Sequence, residues 1–377
     1  MHTEFPQDAD LVYLNHAGVG PWPKRSRDAV MRFADENIHR GATHYPRWLE
    51  TEQRLRQRLA TLINARSSDD LALVKNTSEG LSLIAYGLDW QHGDEIVINN
   101  EEFPSNRVVW ESLRDQGVAV RDVASEGEDD PETLLIDGLT PRTRLLSVSS
   151  VQYGSGRRMD LPRLAAACRE RDILFCVDAI QSLGALRFDL DTVDADFVVA
   201  DGHKWMLGPE GLGLFYVRPA LRHGLRLLQY GWHMVEHVGD YDRKDWQPAQ
   251  SARRFECGSP NMLGVHALEA SLSLLQDEIG MKAVETALLG NTDYLCQRIA
   301  SEPALELLAD RRPGRCSGIV TFRAPGTDSA DLHKQLMQAG VICAKRGGGV
   351  RFAPHFYTTT EQLDRAVDLA LAAVGRG

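Results

Sequence analysis

The sequence has no excess of positive charge. Its 377 residues include 42 Lys and Arg against 53 Asp and Glu, which gives a formal net charge of −11, and it contains no basic block and no RNA-binding signature. A protein whose main partner is nucleic acid or an anionic membrane needs a positively charged surface. The composition therefore favours a small-molecule partner over either of these.

Long apolar runs and paired cysteines are also missing. No stretch reaches the roughly 18 uninterrupted apolar residues of a membrane-spanning helix, and residues 1–18 carry no basic-plus-apolar leader. We expect neither a membrane span nor secretion. No CxxC motif occurs, so the cysteines suit reduced core positions in a cytoplasmic protein better than disulfides or a zinc site. They are Cys168, Cys176, Cys257, Cys296, Cys316 and Cys343.

What is present is a regular alternation of short apolar runs with amphipathic stretches between residues 71 and 217. The runs are "LALVK", "DEIVIN", "VAVRDV", "RLLSVSS", "ILFCVD", "DFVVA" and "GLFYV". This alternation predicts an α/β fold with a mostly parallel seven-stranded sheet covered by helices. We expect an N-terminal segment over 1–20, a large domain over 21–260 and a small α+β domain over 261–377.

Ligands of open α/β sheets bind at the carboxyl ends of the strands, so polar residues after apolar runs are candidates for a site. Thr77 and Ser78 follow "LALVKN" and precede a helix, where hydroxyls and backbone amides suit a phosphate. Plain helix capping is the alternative. Phe103 follows "DEIVINNEE", where its ring could stack on a flat ligand or pack in the core.

Two further strand ends carry ionisable residues. Asp178 and Gln181 follow "ILFCV"; the carboxylate could serve a ligand, pair with a basic neighbour or cap a turn. His203 and Lys204 follow "DFVVADG". A buried lysine is costly unless it is paired or its pKa falls, and a lowered pKa makes the amine nucleophilic. The alternative is a lysine on a surface loop.

Taken together, these residues match the needs of one cofactor. An enzyme that uses pyridoxal 5'-phosphate needs a lysine for a Schiff base, a carboxylate for the pyridine nitrogen, a phosphate-binding helix start and often a stacking ring. Lys204, Asp178, Thr77 with Ser78, and Phe103 supply all four. The combination predicts a pyridoxal phosphate enzyme acting on an amino acid.

At this level of detail the chain resembles the class V aminotransferases, fold-type I pyridoxal phosphate enzymes that include cysteine desulfurases, isopenicillin-N-epimerase-like proteins and relatives of kynureninase. The matching stretches run almost from end to end. They are "YLNHAGVGP", "NTSEGLSLIA", "VDAIQSLGA", "DGHKWMLGPEGLG", "RRFECGSPN" and "GVRFAPHFYTT".

The resemblance implies a role for each cofactor-binding residue. Lys204 forms the Schiff base, Asp178 meets the pyridine nitrogen, and Gln181 lies near the phenolic oxygen. The remaining cofactor residues are Phe103 on the ring and, on the phosphate, Thr77, Ser78 and His203. Asp201 stands where desulfurases often have serine, and a carboxylate there would repel a phosphate.

The resemblance also implies residues that bind the substrate and a second subunit. Arg351 grips the substrate carboxylate through its guanidinium fork, and Asn15 and His16 border the substrate. Ser259 reaches the phosphate of a neighbouring subunit, which implies a homodimer with shared active sites.

The reaction type stays open among several chemistries at Cα and Cβ. The sequence predicts transamination or C–S and other β-lyase chemistry, with cysteine desulfurase, amino-acid epimerase and a non-catalytic protein of this fold as alternatives. Desulfurases carry a nucleophilic cysteine on a mobile loop before the carboxylate-binding arginine. Here Cys343 precedes Arg351 by only eight residues and lies in the apolar run "VIC", so we expect a buried strand cysteine and no long loop.

Overall fold

A computed structural model describes residues 3–375 of the chain. The strands are β1 Val12–Tyr13, β2 Leu71–Val74, β3 Glu95–Asn99, β4 Ala119–Val123, β5 Thr143–Ser149, β6 Leu174–Asp178, β7 Phe197–Asp201, β8 Gly213–Val217, β9 Glu306–Leu307, β10 Val320–Arg323, β11 Val341–Ile342, β12 Ala344–Arg346 and β13 Gly349–Phe352. The helices are α1 Lys24–Arg40, α2 Tyr45–Ile63, α3 Thr77–Gly87, α4 Ser105–Glu111, α5 Pro131–Asp137, α6 Leu161–Arg169, α7 Leu190–Val193, α8 Pro219–Arg222, α9 Met262–Ser273, α10 Met281–Ala300, α11 Ser329–Gln338 and α12 Thr360–Val374.

The central sheet has seven strands in the order β2-β8-β7-β6-β5-β3-β4. Strand β8 runs antiparallel to its neighbours β2 and β7, and the other pairs are parallel. Each of the seven apolar runs supplies one of these strands, so the predicted mostly parallel α/β sheet is confirmed.

Apart from the largely exposed edge strand β4, the strands of this sheet are covered on both faces, which explains why they read as nearly continuous apolar runs. Successive residues of a strand point to opposite faces. Accordingly, Cys176 and Val199 pack in one core, whereas Val177 and Val198 pack in another. Helix α6 shows how the sequence starts such a covering helix: the side chain of Asp160 accepts a hydrogen bond from the amide of Arg163 and caps its first turn.

A smaller sheet of four strands, in the order β12-β13-β10-β9, packs with α11 and α12. Strand β1 from the N-terminal segment pairs in parallel with β11, which fastens residues 12–13 to this C-terminal part. Helix α9 packs against α1 and α2, although it follows residue 260 in the chain. The division at 20 and 260 therefore stays a proposal. No helix within residues 3–375 has the length and apolar character that a bilayer crossing requires.

Candidate functional site

A cavity of about 310 Å³ lies at the carboxyl ends of the central strands, where an open α/β sheet binds its ligands. The structure brings most of the predicted site residues to its wall. Those that line it are Thr77, Ser78, Phe103, Asp178, Gln181, His203, Lys204 and Arg351. Ala17 and Gly18 of the N-terminal segment also line it.

Lys204 lies three residues beyond β7 in a tightly packed turn. The amide of Gly20 donates to the carbonyl of His203 at 2.7 Å. At Gly184, which has φ +94°, a Cβ would lie only 2.3 Å from the carbonyl oxygen of Trp205. Close backbone contacts on both sides therefore fix the turn that carries the lysine. Its side chain is partly buried, so the surface-loop alternative is wrong.

Burial lowers the pKa of the Lys204 amine to about 8, and the nearby charge of Asp178 opposes this shift. The desolvated ammonium loses its proton more easily than an exposed one. The Nζ atom lies 5.7 Å from the centroid of the Phe103 ring. An amine in this state can act as a nucleophile and as a base.

Asp178 is buried at the end of β6, and Oδ1 accepts a hydrogen bond from the amide of Ile180 at 3.0 Å. Burial raises the pKa of this carboxyl to about 7, and Lys204 partly offsets the shift. Turn capping therefore accounts for Oδ1 of Asp178 only. No basic side chain within residues 3–375 forms a salt bridge with Asp178 at 4.0 Å or less, so pairing with a basic neighbour is not seen either. The site suits a ligand that brings its own N–H donor or positive charge.

Helix α3 begins at Thr77, and its cap is the preceding residue. The side chain of Asn76 accepts from the amide of Glu79 at 2.9 Å, so the alternative that Thr77 or Ser78 caps the helix is wrong. The Thr77 hydroxyl is buried without a hydrogen-bond partner, and the Ser78 hydroxyl donates to Ser105 Oγ at 2.9 Å. An unpartnered hydroxyl such as that of Thr77 at a helix N-terminus suits an anion such as a phosphate.

His203 lies next to Asp201, the carboxylate that stands where desulfurases often have serine. Its Nδ1 is 3.1 Å from Oδ1 of Asp201, but the geometry makes no hydrogen bond, and both atoms are buried without a partner. The Asp201 carboxylate therefore lies directly beside the imidazole of His203, one of the predicted phosphate-binding residues.

The predicted ring-stacking residue is not in the core. Phe103 is 41 % exposed and meets the edge of Tyr153 at a centroid distance of 5.2 Å, so the core-packing alternative is wrong. Gln181 accepts from Trp205 Nε1 at 2.8 Å and donates to the carbonyl of Ala17 at 3.1 Å. It thereby joins the turn after β6 to the Lys204 turn and the N-terminal segment.

Arg351 on β13 is buried and has no carboxylate partner among the described residues. Its Nη1 donates to the carbonyl of Tyr153 at 2.7 Å, Nη2 lies 3.4 Å from Oδ1 of Asn15, and Nε has no partner. Burial lowers the pKa of the guanidinium to about 10, and the charge of Arg346 adds to the effect. A buried, unpaired guanidinium beside a cavity suits a carboxylate ligand.

Three predicted residues do not line this cavity. Asn15 is connected to it through Arg351, whose Nη2 lies 3.4 Å from the Asn15 Oδ1. The ring of His16 is buried, with Nδ1 2.8 Å from the carbonyl oxygen of Ala353 and Nε2 2.7 Å from the hydroxyl of Tyr357. Ser259 lines a separate groove together with Lys75 and Glu79. The structure brings neither His16 nor Ser259 to the cavity, and the roles of Asn15, His16 and Ser259 stay predictions.

Sequence reasoning missed a buried carboxylate next to Phe103. Glu102 accepts from the amide of Ser149 at 2.7 Å, from Asn106 Nδ2 at 2.7 Å and from Asn99 Nδ2 at 2.8 Å. These bonds anchor the loop of Phe103 to the ends of β3 and β5. The signal was available, because "NNEEF" places two acidic residues directly after a strand.

Arg346 and Tyr153 also line the cavity and were not selected from the sequence. Arg346 lies between Cys343 and Arg351, the two residues of this stretch that the sequence singles out. Tyr153 contributes its carbonyl to Arg351, and a backbone contact of this kind leaves no trace in residue type.

The residues present fit pyridoxal phosphate. The Thr77 hydroxyl is unpartnered at the helix start, Asp178 is a buried carboxylate without a cationic hydrogen-bonding partner, and the Lys204 amine has a lowered pKa in the same cavity. These are the three groups that the phosphate, the pyridine nitrogen and the aldehyde of the cofactor require.

Comparison with known proteins agrees with this reading. Residues 12–366 match the model of the class-V aminotransferases, and the chain belongs to that family. It is 31% identical to a probable cysteine desulfurase of Methanothermobacter thermautotrophicus, over 96% of this chain and 94% of the relative. It is 29% identical to the isopenicillin N epimerase of Streptomyces clavuligerus, over 98% of this chain and 96% of that protein.

Among solved structures, the cystine C–S lyase C-DES, in complex with its reaction product cysteine persulfide, superimposes with a TM-score of 0.88. The alignment covers 96% of this chain and 98% of the lyase at 24% identity, which establishes the shared fold. The protein is a pyridoxal phosphate-dependent enzyme of the class V aminotransferase family.

Proposed function

We propose that this enzyme cleaves a C–S bond of an α-amino acid by β-elimination and releases the sulfur on the leaving product, without a persulfide on the protein. Relatives named cysteine desulfurase and a fold neighbour named cystine C–S lyase support sulfur-containing substrates. The observation that carries the proposal is that no cysteine thiol lines the cavity, and all six cysteines lie within the described residues.

If this enzyme were a cysteine desulfurase, Cys343 would be its nucleophilic thiol. It is 4% exposed, packs in the core of the C-terminal part, and has its pKa raised to about 12 by burial. Lys345 and Arg346 do not lower it. The following residues form a tight turn between β12 and β13, with φ +57° at Gly347 and +75° at Gly348, where a mobile loop would have to start. A buried neutral thiol is a poor nucleophile.

Pyridoxal phosphate, when bound, would supply an electron-withdrawing ring for the charge that develops at the substrate Cα. Arg351 binds the substrate carboxylate, and Asp178 holds a proton on the pyridine nitrogen. Thr77, Ser78 and His203 hold the phosphate, and Phe103 and Gln181 position the ring and its phenolic oxygen. Asn15 and His16 support the substrate side.

Lys204 moves the proton. Its amine, with a pKa near 8, is partly unprotonated at neutral pH and takes the Cα proton. The Cβ–S bond then breaks, its electron pair leaves with sulfur, and a thiol or persulfide product departs. Hydrolysis of the released enamine gives pyruvate and ammonia, so atoms and charges balance without an oxidant.

Product analysis tests this proposal. Holoenzyme is incubated with L-cysteine, L-cystine and S-substituted cysteines, and pyruvate, keto acid, sulfide and inverted substrate are measured. We expect equal amounts of pyruvate and thiol or persulfide product, no protein persulfide, and activity retained in Cys343→Ala. A persulfide mapped to Cys343, with loss of turnover in the variant, would support a cysteine desulfurase instead. A keto acid that retains the sulfur, without pyruvate, would indicate transamination, and inverted substrate alone would indicate epimerisation.

A homodimer in the cytoplasm completes the proposal. Ser259 lies outside the cavity of its own subunit, as expected of a residue that serves a neighbouring one, and the cysteines are unpaired, as in a reducing compartment. Sedimentation equilibrium of the holoenzyme tests the dimer. A monomer with full cofactor affinity would remove Ser259 from the site.

A further inference from the structure

Two guanidinium groups line the active-site cavity, but they differ in exposure. Arg351 is buried on β13, whereas Arg346 at the end of β12 is exposed and reaches the wall of the same cavity from its mouth. Among residues 3–375, the Arg346 side chain forms a single hydrogen bond, from Nη1 to the carbonyl of Lys345 at 2.8 Å. The Arg346 head group is therefore available to a ligand.

The backbone holds Arg346 in this position. Gly347 packs so closely on Gly154 that a Cβ at Gly347 would lie 2.5 Å from the carbonyl oxygen of Gly154, and its φ of +57° also favours glycine. This contact seats the β12–β13 hairpin beside Tyr153, which lines the cavity. Side chains alternate along a strand, so Lys345 points to the other face and does not line the cavity.

The positive charge at this end of the cavity is not compensated within residues 3–375. Neither Arg346 nor Arg351 forms a salt bridge there, and the charge of Arg346 contributes to the lowered pKa of Arg351. The two carboxylates that line the cavity, Asp178 and Asp201, form no salt bridge with either arginine; Asp178 accepts from the amide of Ile180, and Asp201 lies beside His203. Two nearby guanidiniums with no anion between them favour a ligand with more than one anionic group.

We propose that Arg346 selects substrates that carry a second carboxylate, or a comparable anion, on the sulfur-bound group that leaves. Arg351 holds the α-carboxylate inside the cavity and Arg346 holds the distal anion at its mouth. This inference rests on the proposed function, and it names the substrate class as cysteine S-conjugates with an anionic leaving thiol. The bond changes are those of the elimination above, and the thiol leaves with its own carboxylate.

An isosteric pair of compounds tests the charge alone. S-carboxymethyl-L-cysteine and S-carbamoylmethyl-L-cysteine have nearly the same shape, and only the first carries the distal charge. Binding to holoenzyme is followed by spectral titration, and kcat/KM by pyruvate release, for wild type, Arg346→Ala and Arg346→Glu. Lys345→Ala is the matched control, since it removes an equally exposed positive charge from the adjacent position of β12.

Wild type should prefer the carboxymethyl compound by about fivefold, the range of a solvent-exposed ion pair, and added salt should reduce the preference. Arg346→Ala should abolish it with little change for the carbamoylmethyl compound, Arg346→Glu should reverse it, and Lys345→Ala should leave it intact. If Arg346→Ala lost affinity equally for both compounds, Arg346 would serve the α-carboxylate. If it lost affinity for neither, Arg346 would be a solvated residue outside the binding site. Either result would overturn the proposal. The titration reports on Arg346 even if no pyruvate forms, so its failure is distinct from that of the elimination reaction.

Discussion

Trp205, which directly follows Lys204, donates a hydrogen bond from Nε1 to Oε1 of Gln181 at 2.8 Å. Gln181 in turn lies three residues after Asp178, so one side-chain bond couples the loop of the proposed nucleophile to the loop of the proposed ring partner. The side-chain Nε2 of Gln181 also donates to the carbonyl of Ala17, which brings the N-terminal segment against both loops. The cavity is therefore built from three chain segments, and these two hydrogen bonds fix their positions relative to one another.

Lys204→Ala should abolish the covalent attachment of the cofactor, because the cavity lysine supplies the amine with the lowered pKa. Borohydride treatment of holoenzyme, followed by peptide mapping, measures the attachment. Wild type should be yellow and carry the label on Lys204. The exposed Lys75→Ala serves as control and should behave as wild type; an unchanged adduct in Lys204→Ala would remove Lys204 from its role.

Asp178→Asn should stabilise the cofactor-free protein at neutral pH. A carboxyl whose pKa rises from 3.8 to about 7 on folding binds more protons in the folded state between these values, so its contribution to stability falls as pH rises through this window. The amide of Asp178→Asn does not ionise, so the variant does not lose stability in this way as the pH rises. Its free energy of unfolding should exceed that of wild type by at least about 1 kcal/mol at neutral pH, with a smaller difference near pH 5.

Urea unfolding of the two apoproteins at both pH values measures this difference, and Asp242→Asn, at an exposed carboxylate, is the control. A difference that is independent of pH would contradict the burial of an ionisable Asp178. In the holoenzyme the same variant should lose most of its turnover, because a neutral amide cannot keep the pyridine nitrogen protonated.

Thr77→Val should weaken cofactor binding without destabilising the apoprotein. The buried hydroxyl has no hydrogen-bond partner in the protein, so its removal costs the apoprotein little, whereas a phosphate would lose a charged hydrogen bond of about 1.5–3 kcal/mol. Ser82→Ala, one turn further along α3, is the control. Cofactor affinity by fluorescence quenching and apoprotein stability by urea unfolding separate the two effects; equal cofactor affinity would exclude Thr77 from the phosphate site.

Arg351→Ala should weaken amino-acid binding by roughly 2–5 kcal/mol, because a carboxylate in the cavity would lose a buried charged partner. Cofactor affinity should barely change. Arg351→Lys keeps the charge but not the bidentate fork and should fall between the two. Spectral titration with amino acids measures all three proteins, and equal affinity in wild type and Arg351→Ala would place the substrate elsewhere.

Much of this architecture follows from local sequence alone. Apolar runs of five to seven residues with turn residues at their ends determine most of the strands, because a strand buried on both faces must be apolar at successive positions. The same rule marks Asp178, which ends a buried strand, and Lys204, which follows the next one. Residue type then narrows the chemistry, since lysine, carboxylate and helix-start hydroxyls together match one cofactor.

Other features depend on contacts between distant parts of the chain, and only the tertiary structure decides them. The family resemblance predicts that His16 borders the substrate, and the structure shows a buried ring that contacts Ala353 and Tyr357 and does not line the cavity. Cys343 is buried because the C-terminal core surrounds it. Arg346 reaches the cavity because Gly347 seats its hairpin on Gly154, a contact between residues far apart in sequence. Local patterns specify which segments form elements, whereas the desolvation and partners of a single side chain depend on whatever the fold places against it.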